Sequence, residues 1–150
     1  MQNYSRVLVA IDLKESSLRV AQRAQGIAKA GGGELRLLHV VEYIPVDPMG
    51  DNMLPPTQLI DELVSSARQR LAGIATQLGE PADRCNVEIG GVKSEIVRTA
   101  REHHCDLIVL GAHERHGLSI FVNLTEDAVL HAAPCDVLAV RVGAAEAGNR

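Results

Sequence analysis

The chain has 150 residues, of which 46% are hydrophobic and 23% are charged, and its formal net charge is -4. This length and balance fit one folded domain that buries a core of its own. The sequence has no basic run and very few aromatic side chains, with no Trp, one Phe and two Tyr, so we do not expect nucleic-acid binding. The first apolar run is far too short for a signal peptide or a membrane span, so we expect a cytoplasmic protein without membrane insertion.

Strands and helices are predicted to alternate along the whole chain. In chain order the apolar patterns predict a strand at 6–11, a helix at about 16–30, a strand at 34–41, a helix at 57–78, a strand at 85–89, a helix at 93–103, a strand at 106–111, a helix at 119–132 and a strand at 136–142. Ser16 and Ser17 offer N-cap oxygens for the first helix, the glycines at 31–33 end it, and a polar loop at 112–118 follows the fourth strand. Strands that are joined through helices run parallel, with right-handed crossovers. The sequence therefore predicts an α/β fold, with an open, doubly wound sheet of about five parallel strands and helices on both faces.

The apolar pattern also separates inner strands from edge strands. Residues 6–11 and 106–111 are almost continuously apolar, which is typical of strands that are covered on both faces. Residues 85–89 alternate between polar and apolar side chains, which favours an edge position. Residues 43–56 have no periodicity and contain several prolines, so they form the longest loop, which follows the second strand and could act as a lid over a ligand.

Neither a catalytic site nor a metal site is predicted. Cys85, Cys105 and Cys135 are odd in number and lack CxxC spacing, so we interpret them as small apolar residues in or near the core. His39 lies within a strand, where a hydrogen-bonded core residue is favoured over a ligand. Ser119 has no partner His and Asp, and no pair of carboxylates suggests acid–base chemistry.

Ligands of an open parallel sheet bind outside the carboxyl ends of the strands, where the strand order reverses. The segments expected there follow the first, second and fourth strands, and they include Ala10, Asp12, Val40 and Gly111. The carboxylate of Asp12 ends the first strand, and it either contacts a ligand or caps the following loop or helix.

Four segments of the chain, taken in order, resemble the universal stress protein family. They are VLVAID at 7–12, LLHV at 37–40, DLIVLGAH at 106–113 and APCDVLAV at 133–140, and the resemblance covers about residues 4–142. It implies one domain over residues 1–150, the strand order 3-2-1-4-5 of the adenine nucleotide alpha hydrolase-like fold, and a cytoplasmic homodimer that pairs its last strands. The predicted last strand, at 136–142, is apolar and lies at an edge of the predicted sheet. Such an edge must be covered or paired. The residues expected in the dimer interface are Val137, Leu138, Ala139, Val140 and Val142.

One branch of the family binds ATP, and the resemblance assigns three of its positions to this chain. An Asp at the end of the first strand contacts the ribose, which matches Asp12 after Ala10. The backbone after the His of the second strand contacts the adenine, which matches Val40. A G-x-x-G segment after the fourth strand, followed by a G-S pair, holds the phosphates, and Gly111 matches its first glycine.

The phosphate segment then departs from the family pattern. Glu114 stands at the second glycine, and the G-S pair falls at Asn123 and Leu124. Glycine lets the backbone approach a phosphate, whereas Glu114 adds a β-carbon and a negative charge there, although Arg115 could still offer positive charge. We therefore place the chain near the branch that does not bind ATP.

Two functions follow from these observations. The first is a non-enzymatic stress-response homodimer that acts by binding an unknown protein partner or a small ligand. The alternative is an adenine-nucleotide sensor for ATP, ADP or AMP, in which AMP and ADP would suffer less from Glu114 than ATP would. A hydrolase or nucleotidyl transferase would need a metal-binding carboxylate cluster or an intact glycine-rich loop, and neither is evident in the sequence.

Overall fold

The computed structural model describes residues 3–42, 56–113 and 125–142. The strands in this part of the chain are β1 (Arg6–Ala10), β2 (Glu34–Glu42), β3 (Cys85–Gly90), β4 (Leu107–His113) and β5 (Asp136–Val142). The helices are α1 (Ser17–Ala30), α2 (Pro56–Leu78), α3 (Val92–Glu102) and α4 (Thr125–Ala132), with a 3₁₀ turn at Ala82–Arg84. None of the helices described is long and apolar enough to cross a membrane.

The five strands form one parallel sheet in the order β3-β2-β1-β4-β5. This confirms the predicted fold class and strand order, and β3 lies at an edge as its alternating pattern predicts. The chain adds β2 and β3 on one side of β1 and then adds β4 and β5 on the other side. The switch point, where ligands of such folds bind, therefore lies between β1 and β4.

Two apolar clusters cover the two faces of the sheet. Because side chains alternate along a strand, Val7 and Val9 of β1 belong to one cluster and Leu8 belongs to the other, and all three are fully buried. The first cluster includes Val20 of α1 and Leu71 of α2. The second cluster includes residues of α3 and α4, such as Ile96 and Val129. The near-continuous apolar run of β1 thus follows from its central position.

The predicted glycine stop of α1 is confirmed, and it has a second role. Gly32 has a φ of +67°, and the Gly33 N–H donates to the Ala28 carbonyl at 2.8 Å, which is the hydrogen bonding of a Schellman cap. A β-carbon on Gly33 would lie 2.5 Å from the Tyr4 carbonyl oxygen and 2.6 Å from that of Ser5. The glycine therefore lets the segment that leads into β1 pack directly on this turn.

Several element boundaries shift by one residue from the sequence prediction, and two further details differ. Ser16 is the N-cap residue of α1, but its side chain makes no capping hydrogen bond. Strand β4 continues two residues beyond Gly111, because β5 still offers a partner there and His113 pairs with Val142. The predicted loop at 43–56 lies almost wholly outside the described residues, and so does the predicted start of the last helix at 119.

Candidate functional site

A crevice of about 330 Å³ lies at the carboxyl ends of β1, β2 and β4, beside the switch point. Ligand pockets of proteins are usually roughly 300–1,000 Å³, so this crevice has room for one small molecule. The turn between β1 and α1, the end of β2, the first turns of α3 and the end of β4 all contribute to its lining.

The base of the crevice is apolar. Leu38 of β2, Ile96 of α3 and Leu110 of β4 line it, and all three are buried. Val40 and Val92 are partly buried and continue this surface. Such a surface suits the flat face of an aromatic ring, which gains from burial against aliphatic side chains.

Asp12 is the main polar group of the crevice. Its Oδ1 accepts a hydrogen bond from the Lys14 N–H at 3.0 Å and another from the Ser17 hydroxyl at 3.0 Å. Ser17 is only 4% exposed, whereas Asp12 is exposed and lines the crevice. Asp12 thus orders its own loop, which was one of the two alternatives from the sequence, and it remains accessible to a ligand.

The turn around Asp12 is held from both sides. The Ile11 N–H donates to the Leu38 carbonyl at 2.8 Å, and Nδ1 of His39 lies 2.6 Å from the Ile11 carbonyl oxygen. From α2, the Arg70 guanidinium donates to the carbonyl of Leu13, whose φ of 63° is unusual for a branched side chain. Contacts from β2 and α2 therefore fix a turn that local sequence alone would not favour.

The charges around the described part of the crevice are mixed. Two carboxylates, those of Asp12 and Glu42, and one ammonium group, that of Lys14, belong to its lining. This balance does not favour several phosphate charges close together. It is compatible with a ligand portion that is uncharged and rich in hydroxyl groups.

The structure brings four of the predicted site residues together, since Ala10, Asp12, Val40 and Gly111 all line the crevice. Arg115 and Asn123 lie outside the described residues, as do Glu114 and Leu124. The sequence analysis did not select several other lining residues, namely Lys14, Ser17, Glu42, Val92 and Ile96. Val92 and Ile96 lie in the first two turns of α3, which follows the carboxyl end of β3. The rule that strand carboxyl ends meet at one edge of the sheet could therefore have indicated them.

His39 is partly buried and hydrogen bonded, as predicted for a core residue. It also lines the crevice, as expected from its place at the carboxyl end of the second strand.

The strand expected to form a dimer interface, β5, is an edge strand of the described sheet. Its side chains are not equally available to a partner. Val142 is 3% exposed and belongs to the core, Val137, Leu138 and Val140 pack partly against the two clusters, and Ala139 is exposed. Contact with a second copy would therefore involve the backbone edge and Ala139 more than the Val142 side chain.

The cysteines are free thiols, and none of them has the environment of a reactive group. Cys105 is buried, and burial raises its pKa to about 11. Burial also raises the pKa of the Cys85 and Cys135 thiols. All three pack in or against the apolar clusters, as the sequence predicts. Across residues 3–42, 56–113 and 125–142, no group of three or more His, Cys, Asp or Glu side chains is arranged to hold a metal ion.

The sheet and its crevice define a doubly wound α/β domain of the kind that binds small ligands at its switch point. Comparison with known proteins identifies the family, because the model of the universal stress protein family matches residues 3–141. Universal stress protein A homolog 2 of Coxiella burnetii is 35% identical over 143 residues, which cover 95% of this chain and 98% of that protein. The chain therefore belongs to the universal stress protein family.

Solved structures agree with this assignment. The universal stress protein UspA from Lactobacillus plantarum is 26% identical, with a TM-score of 0.65 over 94% of this chain and 100% of that chain. A universal stress protein crystallised in complex with cAMP is 24% identical and has the same fold, with a TM-score of 0.61 over 93% of this chain and 98% of that chain. Membership of the family supports a role in the stress response.

Proposed function

We propose that this chain is a non-enzymatic stress-response protein whose crevice binds an adenine nucleotide, with a monophosphate preferred over a triphosphate. The observation that carries the proposal is that Ala10, Asp12, Val40 and Gly111 line one crevice at the switch point. The resemblance to the nucleotide-binding branch of the family assigns ribose, adenine and phosphate contacts to Asp12, Val40 and Gly111 respectively.

The lining of the crevice suits the nucleoside half of such a ligand. The adenine ring would pack on the apolar base formed around Leu38, Ile96 and Leu110. The ribose hydroxyls would donate to the accessible carboxylate of Asp12, which its bonds to the following turn already orient. The fold neighbour that was crystallised with cAMP supports a nucleotide with a single phosphate.

The preference for one phosphate follows from charge. The described lining carries one more carboxylate than ammonium groups, so each added phosphate would increase the repulsion. Glu114 adds a further negative charge in the segment that corresponds to the family's phosphate loop. AMP would therefore bind more tightly than ATP.

One hydrogen bond supports binding without catalysis. The Ser17 hydroxyl is buried and donates to the Asp12 carboxylate rather than to an imidazole, so this lining serine is not paired with a histidine as a nucleophile would be. Family membership supports a cytoplasmic location for this activity.

We also propose that the protein acts as a homodimer, with a protein partner that responds to the bound nucleotide. An exposed edge strand tends to be covered or paired, and β5 lies at such an edge. Two copies of β5 would pair antiparallel about a two-fold axis. The small, exposed side chain of Ala139 permits close approach of the second copy.

Isothermal titration of the purified full chain with AMP and with ATP tests the nucleotide proposal. AMP should bind at least about tenfold more tightly than ATP, a difference of about 1.4 kcal/mol. Phosphate release from ATP in the same samples should stay at the level of buffer alone. Tighter binding of ATP, or ATP turnover above buffer, would contradict the proposal.

A further inference from the structure

The imidazole of His39 is hydrogen bonded to the carbonyl oxygen of Ile11, which would accept a backbone hydrogen bond if the sheet continued regularly. The described ladder between β1 and β2 stops at the pair Ala10–Leu38, although the next amide, Ile11 N–H, still donates to the Leu38 carbonyl at 2.8 Å. In a regular parallel ladder the Ile11 carbonyl would then accept from the Val40 N–H. It lies instead 2.6 Å from Nδ1 of His39.

The chemistry of the contact fixes which atom donates. A backbone carbonyl can only accept a hydrogen bond, so Nδ1 of His39 carries the proton and donates to Ile11. Ile11 is the residue directly before Asp12, so the ring holds the start of the turn that carries the carboxylate. The side chain that orders this turn comes from the neighbouring strand, and it lines the same crevice.

We propose that His39 is a positioning residue for nucleotide binding. Its hydrogen bond to the Ile11 carbonyl fixes the turn that presents Asp12. Because the Ile11 carbonyl is then not the acceptor of the Val40 N–H, that N–H remains directed into the crevice as a donor for the ligand. A ring nitrogen of adenine is an acceptor of the kind that this donor requires. The inference rests on the proposed nucleotide function, and it assigns to His39 an action through the backbone rather than a contact with the ligand.

Two substitutions of similar size separate this role from simple packing. In His39→Asn the side-chain amide nitrogen stands close to the former position of Nδ1, so the donor to Ile11 is kept. In His39→Gln the amide nitrogen stands close to the former position of Nε2, so that donor is lost. The Asn variant is therefore the matched control for the Gln variant.

Amide hydrogen exchange tests the backbone arrangement in the free protein. The Val40 amide should exchange at least about tenfold faster than the Leu38 amide, because only the latter lies within the regular ladder. His39→Gln should slow the exchange at Val40, since the released Ile11 carbonyl can then accept from it, and His39→Asn should leave the rate unchanged. A Val40 amide as slow as Leu38 in the unsubstituted protein, or an unchanged rate in the Gln variant, would overturn the inference.

Titration with AMP tests the consequence for binding. His39→Gln should weaken AMP binding by about tenfold, the worth of one well-placed hydrogen bond, and His39→Asn should stay within about threefold. Equal affinities for the unsubstituted protein and the Gln variant would overturn the inference alone. No AMP binding by the unsubstituted protein would overturn the proposed function and, with it, the role of His39 toward a ligand.

Discussion

Asp12 has two roles that substitution can separate. Its Oδ1 accepts from the Lys14 amide and from the Ser17 hydroxyl, and the proposed nucleotide would use the same carboxylate from the crevice side. Asp12→Ala removes the internal bonds and the proposed ligand contact together. Asp12→Asn keeps a carbonyl oxygen for the internal bonds and removes the charge.

The cost of Asp12→Ala to stability follows from burial. Ser17 is 4% exposed, so its hydroxyl would lose its acceptor in a place that water hardly reaches. A buried polar group left without a partner costs about 1–3 kcal/mol, whereas the exposed Lys14 amide can turn to water. We therefore expect the free energy of unfolding to fall by about 1–3 kcal/mol in Asp12→Ala and by much less in Asp12→Asn.

Urea denaturation measures the free energy of unfolding of both variants, and calorimetric titration measures their affinity for AMP. Asp12→Ala should bind AMP about ten- to a hundredfold more weakly, because a hydrogen bond to a charged group is worth about 1.5–3 kcal/mol. Asp12→Asn should bind AMP about tenfold more weakly, because a weaker neutral hydrogen bond remains. In Asp12→Ala combined with Ser17→Ala the unpaired hydroxyl is gone, so stability should recover part of the loss. An Asp12→Ala protein as stable as the unsubstituted chain, or an Asp12→Asn protein with full AMP affinity, would refute this account of Asp12.

Three further substitutions test the fold and the dimer. Gly33→Ala should lower the free energy of unfolding by at least about 1–3 kcal/mol in urea denaturation, because its β-carbon would meet the backbone oxygens of Tyr4 and Ser5. Burial opposes ionisation of Asp106, but hydrogen bonds to the start of β1 outweigh it and lower the pKa of its carboxyl. The carboxylate of Asp106 should therefore stabilise the fold fully above about pH 4, and this effect should be lost as the pH falls through the lowered pKa. Asp106→Asn should destabilise the protein at pH 7, and its free energy of unfolding should depend less on pH at acid pH. Ala139→Glu should give monomers by light scattering, because like charges would meet across the paired edges.

Each of these variants has a matched control. Gly73 lies in α2 with nothing within 4 Å of a β-carbon, so Gly73→Ala should stabilise by about 0.5–1 kcal/mol. Asp61→Asn removes a carboxylate from an exposed position of α2 and should change the free energy of unfolding at pH 7 by less than about 0.5 kcal/mol. Ala72→Glu adds a charge at an exposed position of α2 and should leave the mass in light scattering unchanged. Equal behaviour of a variant and its control would contradict the corresponding explanation.

Most of the fold could be predicted because its strands differ in burial. Residues 7–9 are apolar without interruption since both faces of β1 are covered, and β3 alternates since it lies at an edge. The strand order came from the family resemblance, because periodicity alone does not say on which side of β1 each later strand is added.

The errors arose where a side chain or a strand has a partner other than the one that the local pattern suggested. Ser16 and Ser17 looked equally suited to cap α1, but Ser17 donates to Asp12 and Ser16 makes no capping bond. The end of β4 looked like a polar loop, yet β5 extends the ladder to His113. The partner of Ser17 is five residues away and the partner of β4 is a separate strand, and the local pattern does not indicate either of them.

The sequence predicted the lining residues of the candidate site only in part, and it did not predict the hydrogen bonds that hold the site in place. Ala10, Asp12, Val40 and Gly111 follow from the rule that strand carboxyl ends meet at one edge of the sheet. The bond from His39 to Ile11 and the bond from Arg70 to Leu13 span long separations along the chain. They could be found only from the structure.

The most direct test of the central claim is to locate bound AMP by two-dimensional NMR of isotopically labelled protein. We predict that saturating AMP shifts the backbone amides of Asp12, Val40 and Gly111, which line the crevice, and leaves those of β5 unchanged. Shifts confined to other surfaces, or no shifts with AMP at millimolar concentration, would contradict the assignment of the crevice as a nucleotide site.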